Sequence, residues 1–126
     1  MDVKFCPLVS GSSGNSTYIG TKHTHILIDA GVSCKQIVEH LNELHVNPAD
    51  LDAIFVTHEH IDHIKGVGVL SRKYDIPVYA TPGTWKGIGS TVGEFSHKNI
   101  RYVYKDEQCV INDICVKPFE IPHDTI

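Results

Sequence analysis

The apolar run Ala53-Ile54-Phe55-Val56 continues without a break into Thr57-His58-Glu59-His60-Ile61-Asp62-His63. This junction constrains the fold more than any other stretch of the chain. A short continuous apolar run between helical patterns is expected to be a strand covered on both faces, which places it inside a layered α/β sheet. The polar residues after it then stand outside the carboxyl end of an interior strand, where open α/β sheets gather their sites.

The flanking sequence supports a layered arrangement. Val3 to Val9 predicts a first strand, and the Gly/Ser-rich segment 10–16 closes a hairpin onto Thr17 to Gly20. Thr24 to Asp29 predicts a further strand, ending at Ala30-Gly31. Ser33 with Gln36 three residues on is a capping-box pattern, and Ile37, Val38, Leu41 and Leu44 follow on one helical face until Asn47-Pro48. After the histidines, Asp62 to Tyr74 predicts one helix, with Ile64, Val67 and Leu70 as its apolar stripe and Val69 as a weaker member. Pro77 to Ala80 predicts a strand, and Thr81-Pro82 caps and opens a short helix. Ile100 to Tyr104, Cys109-Val110 and Ile114 to Ile121 predict later strands, with a turn at Asn112-Asp113. Strands, then strand–helix–strand–helix, then strands again is a layered α/β order, expected as one domain over residues 1–126.

Bulk properties exclude little but consistently. A formal charge of −4 argues against the basic surface of a non-specific nucleic-acid binder. No secretory signal pattern opens the chain and no apolar run reaches membrane-spanning length, so a cytoplasmic protein without a membrane partner is expected. The four cysteines are scattered without a C-x-x-C pair and are expected to be reduced; a Cys109–Cys115 link would be strained and is not favoured.

Nine histidines is a high count for 126 residues, and three fall within six positions. His58 and His60 are two apart, so in an extended segment they face the same way and converge on one metal. Asp62 and His63 lie in the turn opening the next helix and can reach a second ion about 3.5–4 Å from the first. Three imidazoles and a carboxylate suit zinc and tolerate manganese or iron. An H-E-x-x-H helix fails on spacing, because Asp62 occupies its second His position. A closed structural zinc site is disfavoured, since no cysteine lies near.

At these residues the sequence resembles the metallo-β-lactamase superfamily, whose signature is H-x-H-x-D-H. Ile26-Leu27-Ile28-Asp29-Ala30-Gly31 resembles its strand-end Asp-Gly motif. Gly11-Ser12-Ser13-Gly14-Asn15-Ser16 and Pro122-His123-Asp124 resemble motifs of the YycJ/WalJ-like branch. The resemblance implies an α/β fold, the N-terminal half of an αββα sandwich. It implies that His58, His60 and His123 bind one metal, that Asp62 and His63 bind the other, and that Asp29 orients ligands through hydrogen bonds. Family members are about twice this length, so the resemblance implies a truncated domain lacking the downstream half and its remaining ligands.

The activity implied is hydrolysis of a phosphodiester by metal-activated water, DNA exonuclease-like in the full-length protein. It would use two divalent ions, zinc or manganese, with Asp62 as metal ligand and orienter of the nucleophile. At most one ion is expected to be well held by this chain. The substrate is expected to be nucleic acid or a small phosphodiester. Ser12, Gly14 and Asn15 either line the substrate groove or form only a tight hairpin turn. Lys86, Lys98, Arg101 and Lys105 either meet a phosphate backbone or are a solvated face. Two other readings stand beside this one. The first is a small-molecule hydrolase of the same superfamily. The second is an inactive half-domain that self-associates as a homodimer through apolar sheet faces left uncovered.

Overall fold

The computed structural model describes residues 2–119. A six-stranded sheet runs in the order β1 (Lys4–Val9), β2 (Ser16–Gly20), β3 (His25–Ile28), β4 (Ala53–Phe55), β5 (Val78–Ala80) and β6 (Ile100–Tyr102). The first three strands are antiparallel neighbours joined by tight turns, and β3 to β6 run parallel through helical crossovers, as parallel pairing requires. A separate antiparallel hairpin is formed by β7 (Cys109–Ile111) and β8 (Ile114–Val116), turning at Asn112, whose φ is 51°.

One face of the sheet carries the main core. Leu27, Ile54 and Val78 lie side by side in register and are fully buried. They pack against helices α1 (Cys34–Glu43), α3 (Val67–Tyr74) and α4 (Pro82–Ile88) through Ile37, Leu41, Val67, Leu70 and Ile88. The Ser33–Gln36 capping box forms as expected and starts α1, a feature worth about 1 kcal/mol. The opposite face buries Ile26, Ala53 and Phe55 under Val103 and Ile111, with Phe55 stacked on Tyr79 at 4.8 Å. The hairpin is fastened there by Asp113, which accepts from the hydroxyls of Thr21 and Thr24. Every residue of β4 is therefore buried, as expected for a strand covered on both sides. Toward β1 the same face is open: Phe5, paired beside Ile19, is 66% exposed.

Two expectations about the elements are corrected. The helix expected from Asp62 to Tyr74 is two helices, α2 (Ile61–Ile64) and α3, separated at Lys65-Gly66. Gly66 sits so close to the Val32 carbonyl that a Cβ would collide with it, and its N–H donates to Ala30 at 2.8 Å instead of continuing the helix. Turning α3 away from α2 leaves Val69 exposed rather than in the apolar stripe. The last strand ends at Val116 within the described residues, short of the expected Ile121. No helix among the described residues is long and apolar enough to cross a membrane, and the four cysteines are free thiols.

Candidate metal centre

Parallel pairing of β3 and β4 puts Ile28 opposite Phe55, so the residues just past each strand end meet. The first past β3 is Asp29, which turns in the left-handed region with φ 63°. Its N–H donates to Phe55 at 2.7 Å and its carbonyl accepts from the Ser16 hydroxyl at 2.7 Å. Asp29 is 4% exposed, and three donors compensate the burial of its carboxylate. Oδ1 accepts from the Thr57 N–H at 2.8 Å, while Oδ2 lies 2.6 Å from both the Thr57 hydroxyl and His63 Nδ1. A carboxylate on Nδ1 favours the tautomer with the proton there, leaving the Nε2 lone pair for another partner.

His63 Nε2 faces Asp62, with Oδ2 at 3.7 Å. Two ligands about 2.1 Å from one tetrahedral ion stand roughly 3.4 Å apart, so this spacing suits a shared cation. Asp62 is set from the other side by the hairpin loop between β1 and β2. The Asn15 N–H donates to the Asp62 carbonyl at 2.8 Å, and the Asn15 amide donates to that carbonyl and to Oδ2 at 3.3 Å each. The Asn15 carbonyl accepts from Gly31 N–H at 2.8 Å. These contacts require closeness: a Cβ on Gly31 would run into the Asp62 carbonyl, and one on Gly14 would lie 2.5 Å from Val32 Cγ1.

The structure thus brings Asp29, Thr57, Asp62, His63 and Asn15 together. His58 joins them, its ring 4.8 Å from that of His63 and its Nδ1 2.9 Å from the Thr57 hydroxyl. His60 stands farther off, 6.2 Å from His58 between centroids, and is exposed as the residue before α2. Among the described residues no group of three or more His, Cys, Asp or Glu side chains stands so that it could hold a metal ion. His123 lies outside the described residues. Of the loop residues, Gly14 is buried against Val32, Asn15 is turned inward onto Asp62, and Ser12 is exposed. Thr57 is a site residue the sequence reading did not single out. Its only signal was its position, a hydroxyl between the buried strand and the first histidine.

Residues 9–103 match the sequence model of the Metallo-beta-lactamase superfamily. The chain is 41% identical over 125 residues to the exodeoxyribonuclease WalJ of Streptococcus pneumoniae serotype 2 (strain D39 / NCTC 7466), across 98% of this chain and 46% of that protein. It is 40% identical over 124 residues to the exodeoxyribonuclease YycJ of Bacillus anthracis, across 98% of this chain and 47% of that protein. Among solved structures, MEM-A1, a subclass B3 metallo-beta-lactamase isolated from a soil metagenome library, matches with a TM-score of 0.74 at 22% identity, over 95% of this chain and 50% of that one. The chain spans about half the length of the curated relatives it matches. The expected fold class, the N-terminal half of a metallo-β-lactamase-type domain, holds.

Proposed function

This chain belongs to the metallo-β-lactamase superfamily, which implies divalent metal ions, and from that premise we propose that it supplies part of the metal centre of a phosphodiester hydrolase acting on DNA. The observation that carries the reading is the Asp29–His63–Asp62 set. A buried carboxylate fixes one imidazole, and that imidazole presents Nε2 to a second carboxylate at 3.7 Å. The donor chemistry, imidazole nitrogen and carboxylate oxygen, fits zinc or manganese. His58, His60 and His123 would hold one ion, and Asp62 and His63 the other, with at most one ion well held by this chain. When bound, the ions supply Lewis acidity, activating water and neutralising charge on the phosphoryl oxygens.

The chain's own residues do the positioning. Asp29 and Thr57 fix the His63 ring, and Asn15 holds Asp62, whose carboxylate would orient the attacking water. The hairpin loop acts through Asp62, with Ser12 as its exposed edge toward substrate. The domain reading is one half of a two-half sandwich, supported by the half-length coverage of relatives and of MEM-A1. An open apolar edge at Phe5 supports closure by the other half or, in its absence, by a second copy. Four free thiols support a reducing, cytoplasmic location. The test uses the complete gene product with zinc or manganese on end-labelled DNA, beside His58→Ala and His60→Ala. Metal-dependent release of nucleotides that both variants abolish is expected; equal activity in the variants would remove the proposal.

A further inference from the structure

The Thr57 hydroxyl stands among three polar groups at once. It lies 2.6 Å from Asp29 Oδ2, 2.9 Å from His58 Nδ1 and 3.4 Å from His63 Nδ1. The backbone puts it there. Val56 N–H donates to the Tyr79 carbonyl at 2.9 Å, which carries the parallel ladder one residue past β4. The next N–H, that of Thr57, donates to Asp29 Oδ1 at 2.8 Å. One residue thus donates to both oxygens of the same carboxylate, its N–H to Oδ1 and its hydroxyl to Oδ2. A β-branched side chain is stiff at χ1 to begin with, and this pair of bonds fixes where its hydroxyl points.

The direction of each bond follows from the protons available. A hydroxyl has one proton and two lone pairs, and an ionised carboxylate has no proton to give. The Thr57 proton is therefore committed to Asp29 Oδ2. Toward His58 the hydroxyl can then only accept, so His58 Nδ1 carries a proton and the lone pair of that neutral ring is on Nε2. The same Asp29 oxygen accepts from His63 Nδ1 at 2.6 Å. Both rings are held in one tautomer, His63 by direct contact with the carboxylate and His58 through the hydroxyl. The two rings stand 4.8 Å apart, tilted by 49°.

We propose that Thr57 is a positioning residue that relays the Asp29 carboxylate to His58, so that one buried charge sets the tautomer of an imidazole at each ion position. The inference rests on the phosphodiester-hydrolase reading, in which His58 serves one ion and His63 the other, and it adds how the two positions are coupled. What the relay sets is which nitrogen holds the lone pair, not where the ring stands. A nitrogen that carries a proton cannot ligate, and taking that proton off lowers metal affinity. Serine can fill the role, since it keeps the hydroxyl. Valine, nearly the same shape as threonine, cannot.

The test is nitrogen–proton correlation NMR of the imidazoles, with the complete gene product in chelator at about pH 8, where an ordinary imidazole is neutral. His58→Gln and His63→Gln assign the signals. The wild type is expected to show Nδ1–H at both His58 and His63. Thr57→Val should turn His58 to the Nε2–H form that a free imidazole prefers and leave His63 as it is, while Thr57→Ser should turn neither. Asp29→Asn should turn both, because its amide donates to His63 Nδ1 and to the hydroxyl, and the hydroxyl then donates to His58. A merely structural role for Thr57 moves none of these signals. Metal affinity, by competition with a chromophoric chelator, should fall about tenfold or more in Thr57→Val and stay within about twofold of wild type in Thr57→Ser. Three results each overturn the relay: Nε2–H at His58 in the wild type, Nδ1–H kept at His58 in Thr57→Val, or equal metal affinity in Thr57→Val and wild type. None of these readings needs substrate or cleavage. A wild type that shows both tautomers and a Thr57-dependent metal affinity but cuts no DNA overturns the hydrolase reading and leaves the relay standing.

Discussion

Asp29→Asn isolates a single charge. Asparagine tolerates the left-handed backbone at φ 63° and nearly matches aspartate in shape. The neutral amide can still accept from the Thr57 N–H, but it sets an N–H₂ group against His63 Nδ1 and the Thr57 hydroxyl, where a carboxylate oxygen now lies 2.6 Å from each. A hydrogen bond to a charged group is worth about 1.5–3 kcal/mol. One such bond, to His63, is lost outright. The Thr57 hydroxyl retains His58 Nδ1 at 2.9 Å, which softens the second loss. The expected destabilisation is about 2–4 kcal/mol, read from urea unfolding with an unchanged m-value. With the His63 ring no longer fixed, metal affinity should fall roughly 10–100-fold, read by competition with a chromophoric chelator. Asp29→Ala should cost a further ~1–2 kcal/mol, because alanine dislikes positive φ. An Asp29→Asn protein with wild-type stability and metal affinity within about twofold would refute the reasoning that this carboxylate orients His63.

Other outcomes follow from the same structure. Gly31→Ala forces a methyl onto the Asp62 carbonyl and should cost about 3 kcal/mol or more, with metal affinity falling in step; a neutral substitution would mean the loop and the α2 turn can separate freely. Ile54→Ala, at a fully buried position of the central strand, should cost about 2–5 kcal/mol in the same urea assay, and a loss below about 1 kcal/mol would contradict the two-sided core. The Thr24 hydroxyl, then that of Thr21, holds the Asp113 carboxyl below its ordinary pKa. A depressed native pKa stabilises above the unfolded value near pH 3.9 and loses that contribution as pH falls through the native value. Asp113→Asn should therefore unfold at lower urea than wild type near neutral pH, with the gap closing in acid; a gap independent of pH would contradict this.

Much of the candidate site's placement was legible because chemistry and position coincided in one short segment. A buried run ending in H-x-H-x-D-H marks a strand and the candidate site beyond its end, and Ser33, Thr81 and Asn112 each announced a local geometry that forms. What was not legible depends on distant approach. The break at Gly66 arises because Val32 and Ala30 claim that glycine's space and N–H, which helical periodicity cannot register. Thr57 became visible only once parallel pairing set it against Asp29, 28 residues earlier. Asn15 looked equally like a turn residue or a substrate contact, and its attachment to Asp62, 47 residues away, is set by tertiary contact alone.

The central claim is that the segment from His58 to His63 holds a catalytic cation. The most direct measurement is zinc or manganese content after equilibrium dialysis, for the 126-residue chain and for His58→Ala/His60→Ala/His63→Ala. About one retained equivalent at most is expected for the wild type, and none for the triple variant. Two tightly held equivalents would contradict the claim of a part-built centre, and metal retained equally by the variant would contradict the site itself.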